Sequence, residues 1–196
     1  NPHFLYNTLS VISASADQQE KVERMCSRLS DMLRYSTVYE EESNSTLEDE
    51  VRHTENYLEL MKDRYEENLI YDIEEAGNLD RVKVPRVILQ PIVENCFKHG
   101  FGENGFPWMI HVAVTASDGH WKIHVRNNGR PFQERDLKEL NEKVEGFLKG
   151  EQKKISGIGL TNTIIRLRLL YEERVEYEIY TGSDGYTCVV LKGNYK

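Results

Sequence analysis

Three short stretches of this chain hold residues whose types and spacing could move a phosphoryl group. The first is Pro2-His3-Phe4-Leu5-Tyr6-Asn7. A neutral imidazole nitrogen is a competent nucleophile near neutral pH, and histidine forms covalent intermediates. By itself such a histidine is more often structural or solvated. The second stretch is Glu94-Asn95-Cys96-Phe97-Lys98-His99-Gly100. The side-chain carbonyl of Asn95 can ligate Mg²⁺, a hard cation that prefers oxygen. Lys98, one helical turn on, points to the same face and can meet a phosphate charge, with His99 following at the helix end. A helix C-terminus whose dipole attracts cations would account for Lys98 and His99 without a ligand, but not for Asn95. Glu94 is a candidate base or water-orienting group. The third stretch is Gly157-Ile158-Gly159-Leu160-Thr161-Asn162. Its glycines let the backbone approach phosphate, the helix that follows offers free N–H groups, and Asn162 can add an amide contact. The rival reading is a loop whose glycines only end a lid. A candidate phosphoacceptor and a candidate nucleotide pocket in one chain point to self-phosphorylation.

The elements that must position these residues fall into two kinds. Helical spacing runs from His3 to about Ser15, with Phe4, Leu5, Leu9 and Ile12 on one side. Asp17-Gln18-Gln19-Glu20 reads as a capping box with Asp17 as N-cap, before a helix with Val22, Met25, Leu29, Met32 and Leu33 along one stripe. Ser45 or Thr46 caps a third helix with Leu47, Val51, Leu58, Met61 and Tyr65 on its stripe. Two short helices cannot bury such stripes alone, so pairing of two chains into a four-helix bundle is expected. Past residue 67 the period changes. Leu69, Tyr71 and Ile73 alternate as in a strand. Pro85 and Gly100 bracket a helix over 85–99, kinked or tightened by Pro91. Ile110, Val112 and Val114, then Trp121, Ile123 and Val125, alternate around Asp118-Gly119 as a hairpin. Residues 133–148 read as a polar, mobile helix and 160–171 as a helix with Leu160, Ile164 and Leu167 buried. A last hairpin pairs about 175–181 with 186–192. Helices among antiparallel hairpins give an α+β chain: an N-terminal helical region, then a two-layer α/β sandwich with a mixed, mostly antiparallel sheet packed on helices.

Composition narrows the function. The chain has 196 residues, is 39% hydrophobic and 30% charged, and carries a net charge of −8 with no basic block. That excludes a phosphate-neutralising nucleic-acid surface. No apolar run approaches the roughly 20 residues that span a bilayer. The chain starts without Met and inside a predicted helix, so it reads as an excised piece of a longer protein, which leaves upstream membrane segments open. Cys26, Cys96 and Cys188 are widely spaced and lack zinc-ligand spacing, so buried or half-buried free thiols are expected. His53, His111, His120 and His124 show no ligand spacing and read as solvated.

With these motifs in this order, the chain resembles the LytS/YesM-type sensor histidine kinases nearly end to end. The resemblance covers Pro2–Asn7, Asp31-Met32-Leu33-Arg34-Tyr35-Ser36, Glu55-Asn56-Tyr57-Leu58-Glu59, Val84-Pro85, Leu89–Asn95 and Gly157–Tyr171. It implies a helical phosphoacceptor and dimerisation region at 1–45, a connecting helix at 46–66, and a Bergerat-type ATP-binding domain at 67–196 with a lid at about 132–156. It implies that His3 is phosphorylated from ATP and passes the phosphoryl group to an aspartate of a response regulator. Asn95 would hold Mg²⁺ and Lys98 and His99 would lie near the phosphates. Gly157, Gly159, Leu160 and Asn162 would line the nucleotide. The full-length protein would sit in the bacterial inner membrane. One segment departs from the pattern. At Asn127-Asn128-Gly129-Arg130-Pro131, Asn127 stands where the family usually has an aspartate that accepts from the adenine amine, and Pro131 replaces a usual glycine. Asn-Gly is also simply turn chemistry.

Three functions compete: a histidine autokinase and phosphodonor; a catalytically weak or inactive nucleotide-binding scaffold acting through dimer conformation; and an ATPase of the same fold. His3 speaks against the third and Asn127 motivates the second. The amide of Asn127 keeps an acceptor but loses charge assistance, worth on the order of 1 kcal/mol. Asn127→Asp is therefore expected to tighten ATP about fivefold, read by calorimetric titration of both proteins.

Overall fold

A computed structural model describes residues 2–15, 17–37, 44–101, 105–151 and 159–195. Three helices come first: α1 (Pro2–Ala14), α2 (Gln19–Thr37) and α3 (Leu47–Tyr65). α2 begins at Gln19, so Gln18, not Asp17, is the residue before it. Met25, Leu29 and Met32 are buried against α3 as their spacing requires, whereas Leu33 turns to solvent. Ion pairs from Arg28 to Glu59 (2.6 Å) and Asp63 (3.5 Å) flank that seam. Thr46 caps α3 in a full capping box: its hydroxyl accepts the Asp49 N–H at 3.1 Å while the Asp49 carboxylate faces the Thr46 N–H. Phe4 of α1 packs on Tyr57 of α3, ring centroids 5.1 Å apart.

Five strands form the sheet, in the order β2-β4-β5-β7-β6. They are β2 (Leu69–Gly77), β4 (Trp108–Ser117), β5 (His120–Asn127), β6 (Val175–Thr181) and β7 (Thr187–Asn194). β2 and β4 run parallel; the other neighbours are antiparallel. β4 and β5 turn at Asp118 and Gly119, both at positive φ (+52° and +85°), as a tight hairpin demands. A small second sheet pairs β1 (Asn44–Thr46) with β3 (Lys83–Pro85). The helices α4 (Leu89–Asn95), α5 (Glu134–Leu148) and α6 (Leu160–Tyr171) complete the fold. Ile110, Val112, Ile123, Val125 and Leu191 of the sheet share one core with Ile92 and Val93 of α4 and Ile164 and Leu167 of α6. Among the described residues no helix is long and apolar enough to cross a membrane.

The structure corrects several expectations. The helix expected over 85–99 starts only at Leu89, because Pro85 ends β3. Pro91 is its third residue, where the missing N–H would have had no helical partner anyway. Cys96–Phe101 then widens into a π turn, so Gly100 lies inside a helical turn and is not a C-terminal cap. α5 is not uniformly polar: Leu140 and Val144 are buried and Phe147 partly so. Cys26 is exposed, while Cys96 and Cys188 are buried. His111 and His120 face solvent edges, paired with Asp72 and Asn194, and His124 is half-buried.

His53 is the largest departure. It is 3% exposed on α3, stacked on Tyr35 at 4.3 Å, and burial pushes its pKa down to about 4. Gln90 and the charge of Glu94 oppose that shift only in part. The ordinary value near 6.5 belongs to the unfolded chain, so below it the unfolded state binds the extra proton. The neutral form's contribution is complete above about pH 6.5 and is lost as pH falls toward about 4. Urea unfolding is expected to show a loss of about 2 kcal/mol between about pH 7 and about pH 5 that His53→Phe lacks, over the carboxylate background common to both.

Candidate functional site

A cavity of about 510 Å³ opens between α4, α5, the start of α6 and the ends of β5 and β7. Asn95, the last residue of α4, lines it half-buried. Asn127, the last residue of β5, lines it at 5% exposure. Leu160 and Thr161 bring the N-terminus of α6 to the same space. Ile92, Val125, Leu140 and Val189 supply apolar walls. An apolar slot with a few convergent polar groups suits a planar ring bearing polar edges.

The loop after β5 is fixed to the end of the π turn by backbone contacts. The Asn127 amide oxygen accepts the Gly129 N–H at 2.9 Å, and the Arg130 N–H donates to the Gly100 carbonyl at 2.5 Å. Asn128 pins the other side: its amide oxygen accepts the Met109 N–H at 2.8 Å and its amide nitrogen donates to the Pro107 carbonyl at 2.9 Å. Glycine is required at both ends of this junction. A Cβ on Gly129 would lie 2.5 Å from the Gly100 carbonyl carbon, and one on Gly100 would lie 2.8 Å from the Asn127 oxygen. Cys96, in the cavity wall, has its thiol pushed up to about 12 by burial and so stays protonated.

Asn95, Asn127 and Leu160 thus meet at one cavity, with Gly129 supporting it from behind. Glu94 and Lys98 do not line it. They pair with each other at 2.8 Å, and Glu94, 7% exposed, also accepts from the Gln90 amide at 2.8 Å. Lys98 leaves the face of Asn95 because the π turn carries more residues per turn than the α spacing used to place it. With both carboxylate oxygens engaged away from the cavity, Glu94 is not poised as a base there. Gly159 and Asn162 sit at the start of α6 beside the cavity but do not line it. His3 stands in the first turn of α1 and His99 in the π turn, their side chains outside the described residues. Gly157 lies outside them too, as does the end of the expected lid beyond Glu151.

Sequence reasoning missed Thr187 and the cationic wall. Thr187, 2% exposed, lies directly opposite Asn127 in the β5–β7 register and donates to the Arg130 carbonyl at 3.2 Å. Only the register, which one sequence does not reveal, marks it. Arg130, Arg135 and Lys143 line the cavity too, offset by Asp136 and Glu139. Lys143 is held by Glu139 at 2.5 Å.

Known proteins match this chain in sequence and in fold. Residues 1–69 match the histidine kinase family model, and residues 80–192 match that of the histidine kinase-, DNA gyrase B- and HSP90-like ATPases. Sensor protein LytS of Oceanobacillus iheyensis is 30% identical over 94% of this chain and 31% of its own length. Sensor histidine kinase YesM of Bacillus subtilis is 27% identical over 97% of this chain and 31% of its own. The chain therefore spans about a third of the length of these curated relatives. Among solved structures, the histidine kinase AdeS of Acinetobacter baumannii superposes with a TM-score of 0.51 at 9% identity, over 94% of this chain and 83% of that one. The blue-light activated histidine kinase EL346 of Erythrobacter litoralis gives 0.50 at 14%, over 98% and 60%. Those two support the fold alone.

Gly129→Ala is expected to force the two backbones apart and weaken nucleotide binding about tenfold or more, with a smaller loss for Asn128→Ala. Titration with a fluorescent adenine nucleotide, beside a melting curve for each variant, checks both.

Proposed function

The chain belongs to the histidine kinase-, DNA gyrase B- and HSP90-like ATPase family, within its LytS/YesM-type sensor histidine kinases, and from this we propose that it autophosphorylates His3 from ATP and donates the phosphoryl group to a response-regulator aspartate. Residues 1–45 are the phosphoacceptor and dimerisation region, 46–66 the connecting helix and 67–196 the catalytic domain. The observation that carries the reading is the convergence of Asn95, Asn127 and the α6 N-terminus on one cavity.

Each residue has a task there. Asn127 accepts from the exocyclic amine of the base with the lone pair that Gly129 leaves open, and the apolar walls hold the ring. The α6 N-terminus, with Gly159 before it, takes phosphate oxygens on free N–H groups. The side-chain oxygen of Asn95 fits a hard cation; Mg²⁺ held there would screen the phosphate charge. The His3 imidazole is the nucleophile: an N–P bond forms as the bond from the γ-phosphorus to ADP breaks. Little covalent chemistry is asked of the remaining residues, so positioning carries the rate. A nucleotide-binding scaffold without kinase activity is the second reading, favoured by the neutral Asn127.

The test is γ-labelled ATP with Mg²⁺ on the full-length protein, beside His3→Ala and Asn95→Ala. The expected result is acid-labile, base-stable label on the wild type, none on His3→Ala, and a loss of about a hundredfold on Asn95→Ala. A dimeric, nucleotide-binding protein that takes no label would replace the kinase with the scaffold.

A further inference from the structure

Glu50 is a carboxylate with no exposure, in the first turn of α3 and far from the cavity in sequence. Its Oε1 accepts the Val87 N–H at 2.6 Å, and its Oε2 accepts the Ile88 and Leu89 N–H groups at 2.6 and 3.0 Å. These three amides lead into α4, whose own N-cap residue, Ile88, makes no side-chain capping bond. Glu50 is therefore the cap of α4, supplied by another helix. Val87 sits between the two at φ +55°, a conformation a β-branched residue adopts only where its surroundings impose it. α4 is one short rigid piece from Leu89 to Asn95, so the seat of Glu50 sets the seat of Asn95.

The same carboxylate is held from the other side by α2. The Tyr35 hydroxyl donates to Glu50 Oε1 at 2.6 Å, and the Arg86 guanidinium lies over the Tyr35 ring at 5.0 Å. Arg86 also donates to the Tyr35 carbonyl at 3.4 Å, so the end of α2 is tied to the residue just before Val87 as well. α2 is one arm of the helical hairpin whose other arm carries His3.

We propose that Glu50 is a positioning residue of the nucleotide site, and that Tyr35 makes this positioning depend on where α2 lies. The proposal rests on the nucleotide reading of the cavity. Coupling of this kind is reciprocal: if the seat of α2 biases the nucleotide site, nucleotide must in turn bias α2.

The experiment is hydrogen exchange over 86–95 and over 28–37, with and without ADP, together with calorimetric ADP affinity. It compares the wild type with Tyr35→Phe, Glu50→Gln and Tyr71→Phe. Tyr71→Phe is the matched control, because it removes a phenol bonded to Glu59 of the same helix but away from α4. Glu50→Gln points an amide donor at backbone donors, which a carboxylate never does. Without ADP, Tyr35→Phe is expected to speed exchange over 86–95 about threefold and to weaken ADP by a similar factor, while Tyr71→Phe does neither. ADP is expected to slow exchange over 28–37 in the wild type and to lose that effect in Tyr35→Phe. Glu50→Gln, where it folds, is expected to exceed Tyr35→Phe in both readouts. Exchange over 86–95 and ADP affinity that match the wild type in Tyr35→Phe would overturn the proposal. So would equal changes in Tyr71→Phe, or no response of 28–37 to ADP. Should the wild type bind no ADP at millimolar concentration, the nucleotide reading fails, and with it the proposed role of Glu50 at that site. The ligand-free exchange over 86–95 would then report only whether Tyr35 and Glu50 hold α4.

Discussion

One helix has to satisfy two layers at once, and the rest of the molecule depends on how α3 does so. Leu47, Val51, Leu58 and Met61 are withdrawn from water along its length, with Met25, Leu29 and Met32 of α2 in the same continuous core. Burial at roughly 25 cal/mol per Å² of apolar surface makes that helix the anchor of both halves. Its polar residues are spent on fixing neighbours: Asp49 closes its own first turn, Glu50 caps α4, Glu59 meets Arg28 and Tyr71, and Lys62 donates to the Leu69 carbonyl at 2.5 Å. A helix bonded this way on several sides cannot shift without disturbing either the helical hairpin or the sheet. The fold thus joins α1 and α2 to the sheet and its helices through the packing and buried hydrogen bonds of α3.

The elements that repeat with one period were legible in the sequence. Strict alternation around Asp118-Gly119 located β4 and β5, and the stripe from Leu47 to Tyr65 located α3, with the cap narrowed to Ser45 or Thr46 and decided for Thr46 by the structure. Residues 85–101 were not legible, because three competing local signals meet there. Pro85, Pro91 and Gly100 each punctuate a helix plausibly, and the choice among them was made by tertiary partners: β1 for Pro85, Glu50 for the helix start, and Gly129 for the close approach at Gly100. His53 was misread for the same reason. Its neighbours, half-buried Tyr35 and buried Gln90, come from other elements, and nothing in the local pattern of α3 separates a buried imidazole from a solvated one.

At the candidate site, Asn95 could be named from its hard oxygen donor, and Asn127 because it departs from the pattern of the family the chain resembles. Lys98 was placed by α-helical spacing that the π turn breaks, so its charge goes to Glu94. Thr187 could not be named at all, since it earns its place only by lying opposite Asn127 across two strands. The residues that hold the site in shape, Asn128, Gly100 and Glu50, act through backbone groups. Backbone partnerships leave little trace in residue type.

The parallel pairing of β2 with β4 carries a consequence for the order of assembly. Parallel neighbours need a crossover, and here the crossover is the stretch from Asn78 through β3, α4 and the π turn. Asn95 therefore lies inside the connection of the one parallel pair among the described strands. The hairpins β4–β5 and β6–β7 close over short loops at small entropic cost, whereas this crossover must first order a long loop. During synthesis and refolding the hairpins can exist as local structure before any cavity does. Holding a ligand requires the crossover as well as the hairpins, because Asn95 lies in the one and Asn127 and Thr187 in the others, so a chain that binds has closed them all.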